Sequence, residues 1–189
     1  SHKWRGHSYA SVGTVADDGK IYIGDPDVLA GFIQSGADGK GVEVVLVRDL
    51  DMGSHNITLS TSFESISNCT FNGNNHTIAN YTLSNKQYAG LLPNAIRVTV
   101  KNLTLKNANI TAVNDGSNNA YAGGFIGRAY GTNVVENCTL ENSIVQGINK
   151  VGGIAGFQAE NGISIRKCTV KGSTIKVDTE NQEYGQCGG

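Results

Sequence analysis

The chain has 189 residues with a formal net charge of −1; 16% are charged, 25 are glycine and 2 are proline. That length suffices for one domain with a buried interior. With no basic stripe to neutralise a phosphate backbone, nucleic acid is not an expected partner. With no apolar run of membrane-spanning length, direct insertion of this segment into a bilayer is not expected either.

Residues 1–20 read as a leader segment. The opening Ser1-His2 reads as the scar of an expression tag, with the natural leader removed. Residues 21–55 read as a helix-plus-strand N-terminal cap. In the run from Asp25 to Gly36, Asp25 suits the N-cap, Pro26 the first helical position and Gly36 the stop. Val28, Leu29, Phe32 and Ile33 make one apolar face, and Glu43 to Val47 reads as a buried strand. This helix is expected to cover the open end of the following residues, 56–189, which read as stacked coils. Those coils are expected to continue past Gly189, since an uncapped end is poorly protected.

A repeat organises this larger part. Cys69, Leu103, Cys138 and Cys168 serve as anchors, spaced by 34, 35 and 30 residues, each followed by Thr. Two residues after the anchors stand Phe71, Leu105, Leu140 and Val170. Three before them stand Ile66, Val100, Val135 and Ile165, and five before them Glu64, Val98, Asn133 and Ile163. Alternation holds within each segment but slips by one residue just before the anchor, which predicts a corner there. A second strand is expected around Ile110, Ile144 and Ile175. A glycine bend follows at Gly90, Gly123-Gly124, Gly152-Gly153 and Gly188-Gly189. An Asn-Gly turn between strands is expected in Phe71–Ile78. Three short strands per repeat, with no amphipathic helices between them, predict an all-β fold: a right-handed parallel β-helix, or solenoid, with an N-terminal capping α-helix.

The passages Gly123-Gly124-Phe125-Ile126-Gly127 and Gly152-Gly153-Ile154-Ala155-Gly156 resemble the GLUG repeat, named for its Gly-Leu-any-Gly core. The order of motifs also resembles many bacterial surface proteins, among them candidate adhesins. That order is an Asp-Pro-Asp-x-Leu-Ala helix, Asp49-Leu50-Asp51, Phe71–Ile78 and then the glycine bends. The same repeat occurs in the non-catalytic part of metallopeptidases that cleave immunoglobulin A. The first bend departs from the pattern, with Leu91-Leu92-Pro93 in place of the second glycine. The resemblance implies a β-helix and an extracellular or cell-surface setting, with a lipid anchor on a removed leader as one route to it. It transfers no catalytic residue.

The chemistry visible in the sequence is sparse. Three acidic pairs stand close: Asp17-Asp18 in a turn, Asp25/Asp27 at a helix start, and Asp49/Asp51 around inward Leu50. None makes a convergent catalytic pair. The histidines (His2, His7, His55, His76) lack zinc-site spacing, and His76 reads as a turn residue. The four cysteines read as buried thiols. The Asn-x-Thr triplets at Asn56, Asn68, Asn75, Asn80, Asn102, Asn109 and Asn137 read as by-products of Asn and Thr ladders. Tyr88, Tyr121, Tyr130 and Tyr184 read as corner packing, with sugar stacking as the alternative. No catalytic, cofactor-binding or metal-ligating residue is predicted, no cofactor is expected, and the chain is not expected to be an enzyme. The expected function is binding an extracellular glycan or protein, with the loop Val113–Tyr121 as the best place for a grafted site. A structural stalk and a polysaccharide-degrading enzyme are the alternatives.

Overall fold

The computed structural model describes residues 15–36, 38–59, 65–117 and 119–178, together with the short strands Lys3–Trp4, His7–Ser8 and Gln186–Gly188. The chain forms a parallel β-solenoid of about five turns. Each full turn contributes to three sheets of ten, five and four strands. Every pairing within these three sheets is parallel. Among the described residues, antiparallel pairing is confined to Lys3–Trp4 with His7–Ser8 and the Val15–Ile21 bridge.

Inward residues form one continuous core from Ile21 to Ile154. The columns are read from the register: Val44, Phe71, Val100, Val135 and Ile165 make one, and Leu50, Ile78, Leu105, Leu140 and Val170 another. Each large apolar side chain removed from water in such a column is worth about 1.5–3 kcal/mol.

The helix spans Pro26–Gln34. Asp25 caps it by accepting from the Asp27 N–H at 2.8 Å, and Gly36 follows it at φ 58°. Its Leu29, Ala30, Phe32 and Ile33 are buried in the solenoid core, with Phe32 stacked on Phe71 at 5.7 Å. This is the helix on the solenoid core that the sequence predicts. The strands Asp38–Leu46 and Leu50–Asp51 pair directly with Ile66–Ala79 in the largest sheet. No described helix is long and apolar enough to cross a membrane.

The corners carry the chain's signature. Asn68, Asn80, Asn102, Asn107, Asn137 and Asn142 all sit at positive φ, between 50° and 59°. Asparagine tolerates this left-handed region better than most residues. The Asn-x-Thr triplets at Asn68, Asn80, Asn102 and Asn137 follow from this geometry: a corner Asn, a buried residue, then an outward Thr.

Four expectations need correction. Cys69 pairs with Val98, not with Leu103, whose partner in that turn is His76. The reason is the Asn72–Asn75 insertion. It places two left-handed residues, Asn74 and Asn75, at a corner where the next turn spends only Asn102, and the register shifts there. For the same reason Asn72-Gly73 makes no hairpin but lies within one long strand, Ile66–Ala79. Ile144 is 41% exposed, and Val145 fills the column of Ile110 and Ile175. The cysteines are all free, but only Cys69 and Cys138 are buried; Cys168 is half-buried and Cys187 exposed. Glu64, His2, Tyr184 and Gly189 lie outside the described residues.

Asn133 breaks its apolar column, and the structure shows why that is tolerated. Its amide donates to Tyr130 O and Gly131 O at 2.9 and 3.2 Å, and its Oδ1 accepts from Val98 N at 2.9 Å. A buried polar side chain with all partners supplied costs little.

Candidate binding surface

The acidic residues that a catalytic reading would need are taken up by structure. Asp18 accepts from Lys20 N at 3.0 Å, Asp25 caps the helix, and Asp27 contacts His55. Asp49 accepts from Thr77 N at 2.9 Å and lies 3.1 Å from His76 Nδ1, and His76 sits within the long strand Ile66–Ala79 instead of the turn expected of it.

Glu43, Asp38 and Asp51 end hydrogen-bonded ladders. Asn137 donates to Asn102 at 2.9 Å, Asn102 to Asn72 at 3.3 Å, and Asn72 to Glu43 at 2.9 Å. A second corner runs from Arg97 to Asn68 at 2.8 Å and from Asn68 to Asp38 at 3.1 Å. In a third, Asn80 donates to Asp51 at 3.0 Å. A column of amides all pointing one way leaves an unmatched N–H at one end. A carboxylate there accepts it in a charge-assisted bond.

These bonds set a pH dependence. The Asn72 amide holds the Glu43 carboxyl below its ordinary value, the Thr77 N–H does so for Asp49, and the Asn80 amide for Asp51. Groups depressed in the folded state stabilise it above their unfolded values of about 4, and that stability is lost as pH falls through the folded values. The thermal midpoint is therefore expected to hold near neutrality and fall between about pH 5 and 3. In Glu43→Gln the fall should be shallower, as read by circular dichroism melts across that range. An equal fall in the variant would contradict the Glu43 contribution.

An open hollow of about 490 Å³ lies over one corner, lined by Lys40, Asn68, Cys69, Thr70, Arg97 and Thr99. Burial pushes the Cys69 thiol up to about 12, far from a reactive thiolate. Among the described residues, no three His, Cys, Asp or Glu side chains gather as a metal site.

The glycine bends build a different surface. At each bend one strand of the four-stranded sheet turns back into a strand of the largest sheet, and the two backbones nearly touch. A Cβ on Gly123 would stand 2.1 Å from Ile126 O, and one on Gly152 would stand 2.0 Å from Ala155 O. In the earlier bend, the fully buried Tyr81 donates its hydroxyl to Gly90 O and Leu91 O, so the bend survives without the second glycine.

Flanking these bends, outward side chains gather into a half-buried strip. Tyr88 stacks on Tyr121 at 5.6 Å, and Tyr121 meets Phe157 at 4.7 Å. The Arg128 guanidinium lies 5.4 Å from the Tyr88 ring centre and 5.2 Å from that of Tyr130, and Lys150 lies 4.8 Å from Phe157. The loop Val113–Tyr121 runs into this strip, its turn held by Asp115 accepting from Ser117 N and by Asn114 accepting from Gly116 N. Tyr88, Tyr121 and Tyr130 make their contacts within this strip, and Tyr184 lies outside the described residues. The cations over the rings were not foreseen, because Arg128 and Tyr88 lie in different repeats that only the stacking of coils brings together, while Lys150 meets Phe157 across the Gly152-Gly153 bend of one repeat.

Comparison with known proteins agrees with this architecture. Residues 118–145 match the model of the GLUG motif. Over 111 residues, 53% of the chain, the sequence is 34% identical to halomucin of Haloquadratum walsbyi, of which it covers 1%. The fold is similar to the crystal structure of a candidate immunoglobulin A1 protease from Bacteroides ovatus, with a TM-score of 0.55 and 18% identity. That match covers 89% of this chain and 65% of the other. The chain thus spans a small part of halomucin and about two thirds of the solved protein. With its glycine bends, its matched motif and its stacked coils, this chain is a β-solenoid that carries the GLUG motif over residues 118–145.

Proposed function

We propose that this solenoid is a non-catalytic display module of a secreted or cell-surface protein, an adhesin segment that holds a glycan or protein partner on its flank. The aromatic and cationic strip beside the GLUG bends carries this reading. A stack of coils is stiff and repeats its outward columns at a fixed rise, which suits it to presenting side chains to an extended partner. Likeness to halomucin supports a surface setting. The engagement of Asp18, Asp25, Asp49 and Asp51 in turns, a cap and ladder ends argues against the hydrolase alternative.

Arrays of glycans and of extracellular proteins, probed with the intact chain, test the proposal. Saturable retention on one of them that weakens in Tyr121→Ala is the expected result. Silence on both would leave the module as a spacer between other domains.

A further inference from the structure

We infer that the strip around Arg128 and Lys150 is a subsite for an acidic saccharide, one bearing carboxylates among hydroxyls. The inference rests on the display-module reading and names its ligand class.

Both cations are held against rings, and the carboxylate at this edge of the strip, Glu160, accepts from the Tyr130 hydroxyl. Among the described residues the ion pairs are Lys20–Glu43, His55–Asp27, His76–Asp49 and Arg166–Glu136, and neither Arg128 nor Lys150 takes part. A guanidinium lying over aromatic faces keeps its in-plane N–H fork free, and that fork fits a carboxylate with two parallel hydrogen bonds. Arg128 lies beside Phe157 in the register of the largest sheet, and Lys150 stands over that same ring. The two positive groups therefore flank one aromatic cluster. In a chain of net charge −1 this is a local charge that an anion would complement.

A second observation points to hydroxyls. Asn94 precedes Arg128 in the same outward column. It is only 4% exposed, and its Oδ1 has no hydrogen-bond partner. An orphaned buried acceptor is costly and calls for a donor. A sugar ring supplies hydroxyl donors next to its carboxylate, and Asn94 stands in direct register with Arg128. Acidic side chains of a peptide supply the carboxylate without the hydroxyls. The ring edges of Tyr88, Tyr121 and Phe157 complete the surface with apolar contact for the C–H faces of a pyranose.

The test is titration calorimetry of the intact chain with hexagalacturonate, with maltohexaose as a neutral hexasaccharide and poly-glutamate as an acidic peptide. Hexagalacturonate is expected to bind, and to bind at least tenfold more weakly in 0.5 M NaCl. Maltohexaose and poly-glutamate are expected to bind at least tenfold more weakly than it does. Arg128→Gln and Lys150→Gln should each raise the Kd about tenfold without moving the thermal midpoint, while Lys86→Gln, on the five-stranded sheet, should change neither. Equal binding of maltohexaose or of poly-glutamate, or full affinity in both Arg128→Gln and Lys150→Gln, would overturn the saccharide assignment and leave the display reading standing. Absence of hexagalacturonate binding would overturn it too. The display reading itself fails only if the glycan and protein arrays are also silent.

Discussion

Gly123→Ala is expected to lower stability by about 3 kcal/mol or more, which for a chain of this length is a drop in melting temperature of roughly 10 °C. The new methyl would stand 2.1 Å from Ile126 O and 2.7 Å from both Ala155 Cα and Gly156 N. All three are backbone atoms of paired strands, so nothing nearby can rotate aside. Relief would require separating one coil from the next, with loss of the hydrogen bonds between them. The same column offers its own control. Gly188 is stacked in register beyond Gly152 and Gly123, yet a Cβ there would meet nothing within 4 Å. Gly188→Ala should therefore stay within about 0.5 kcal/mol of the parent. Thermal melts of the two variants side by side check the pair. Equal destabilisation would show that the motif's glycines are needed for something other than close backbone approach.

Phe32→Ala is expected to cost about 3–5 kcal/mol, the range for emptying a buried aromatic site. Phe32 is fully buried and stacked on Phe71, and through that contact the helix holds to the first long strand of the solenoid. The loss should not spread evenly. In a solenoid each coil touches only its neighbours, so damage at one end is felt most by the adjoining coil. Amide hydrogen exchange should show protection falling in Ile21–Ile23 and Asp38–Leu46, with Asn133–Glu141 protected as in the parent. Uniform loss along the chain would mean that the coils open as a single unit.

The architecture was legible because it is written in periodic apolar residues. The helix over Pro26–Gln34 followed from Asp25, Pro26 and Gly36, and its packing face from Leu29, Phe32 and Ile33. The column of Ala89, Ala122, Val151 and Cys187, next to the bend glycines, was also readable, because the spacing between bends leaves no other alignment. The register at the first anchor was misread for a physical reason. A search for equal apolar spacing cannot see that Asn72–Asn75 absorbs extra residues at a corner without disturbing the columns on either side. Nor could it assign asparagine its role in left-handed corners, since a ladder of outward amides and a ladder of corner amides leave the same Asn-x-Thr trace. Ile144 was misplaced because parity, not hydrophobicity, decides which of Ile144 and Val145 faces inward. The surface strip was the least legible feature. Tyr121 could be singled out, but its contacts with Tyr88 and Phe157, and those of Arg128 with Tyr88, cross between coils and exist only once the register is known.

The central claim is therefore the register of the stack, since it aligns the bends, the amide ladders and the aromatic strip. The direct measurement is a nuclear Overhauser spectrum of the intact chain, labelled with ¹³C and ¹⁵N, in which contacts of Cys69 and Phe71 are assigned. Cross-peaks from Cys69 to Val98 and from Phe71 to Val100, with parallel-strand connectivities around them, are the predicted result. Cross-peaks joining Cys69 to Leu103, or antiparallel connectivities between these strands, would contradict it.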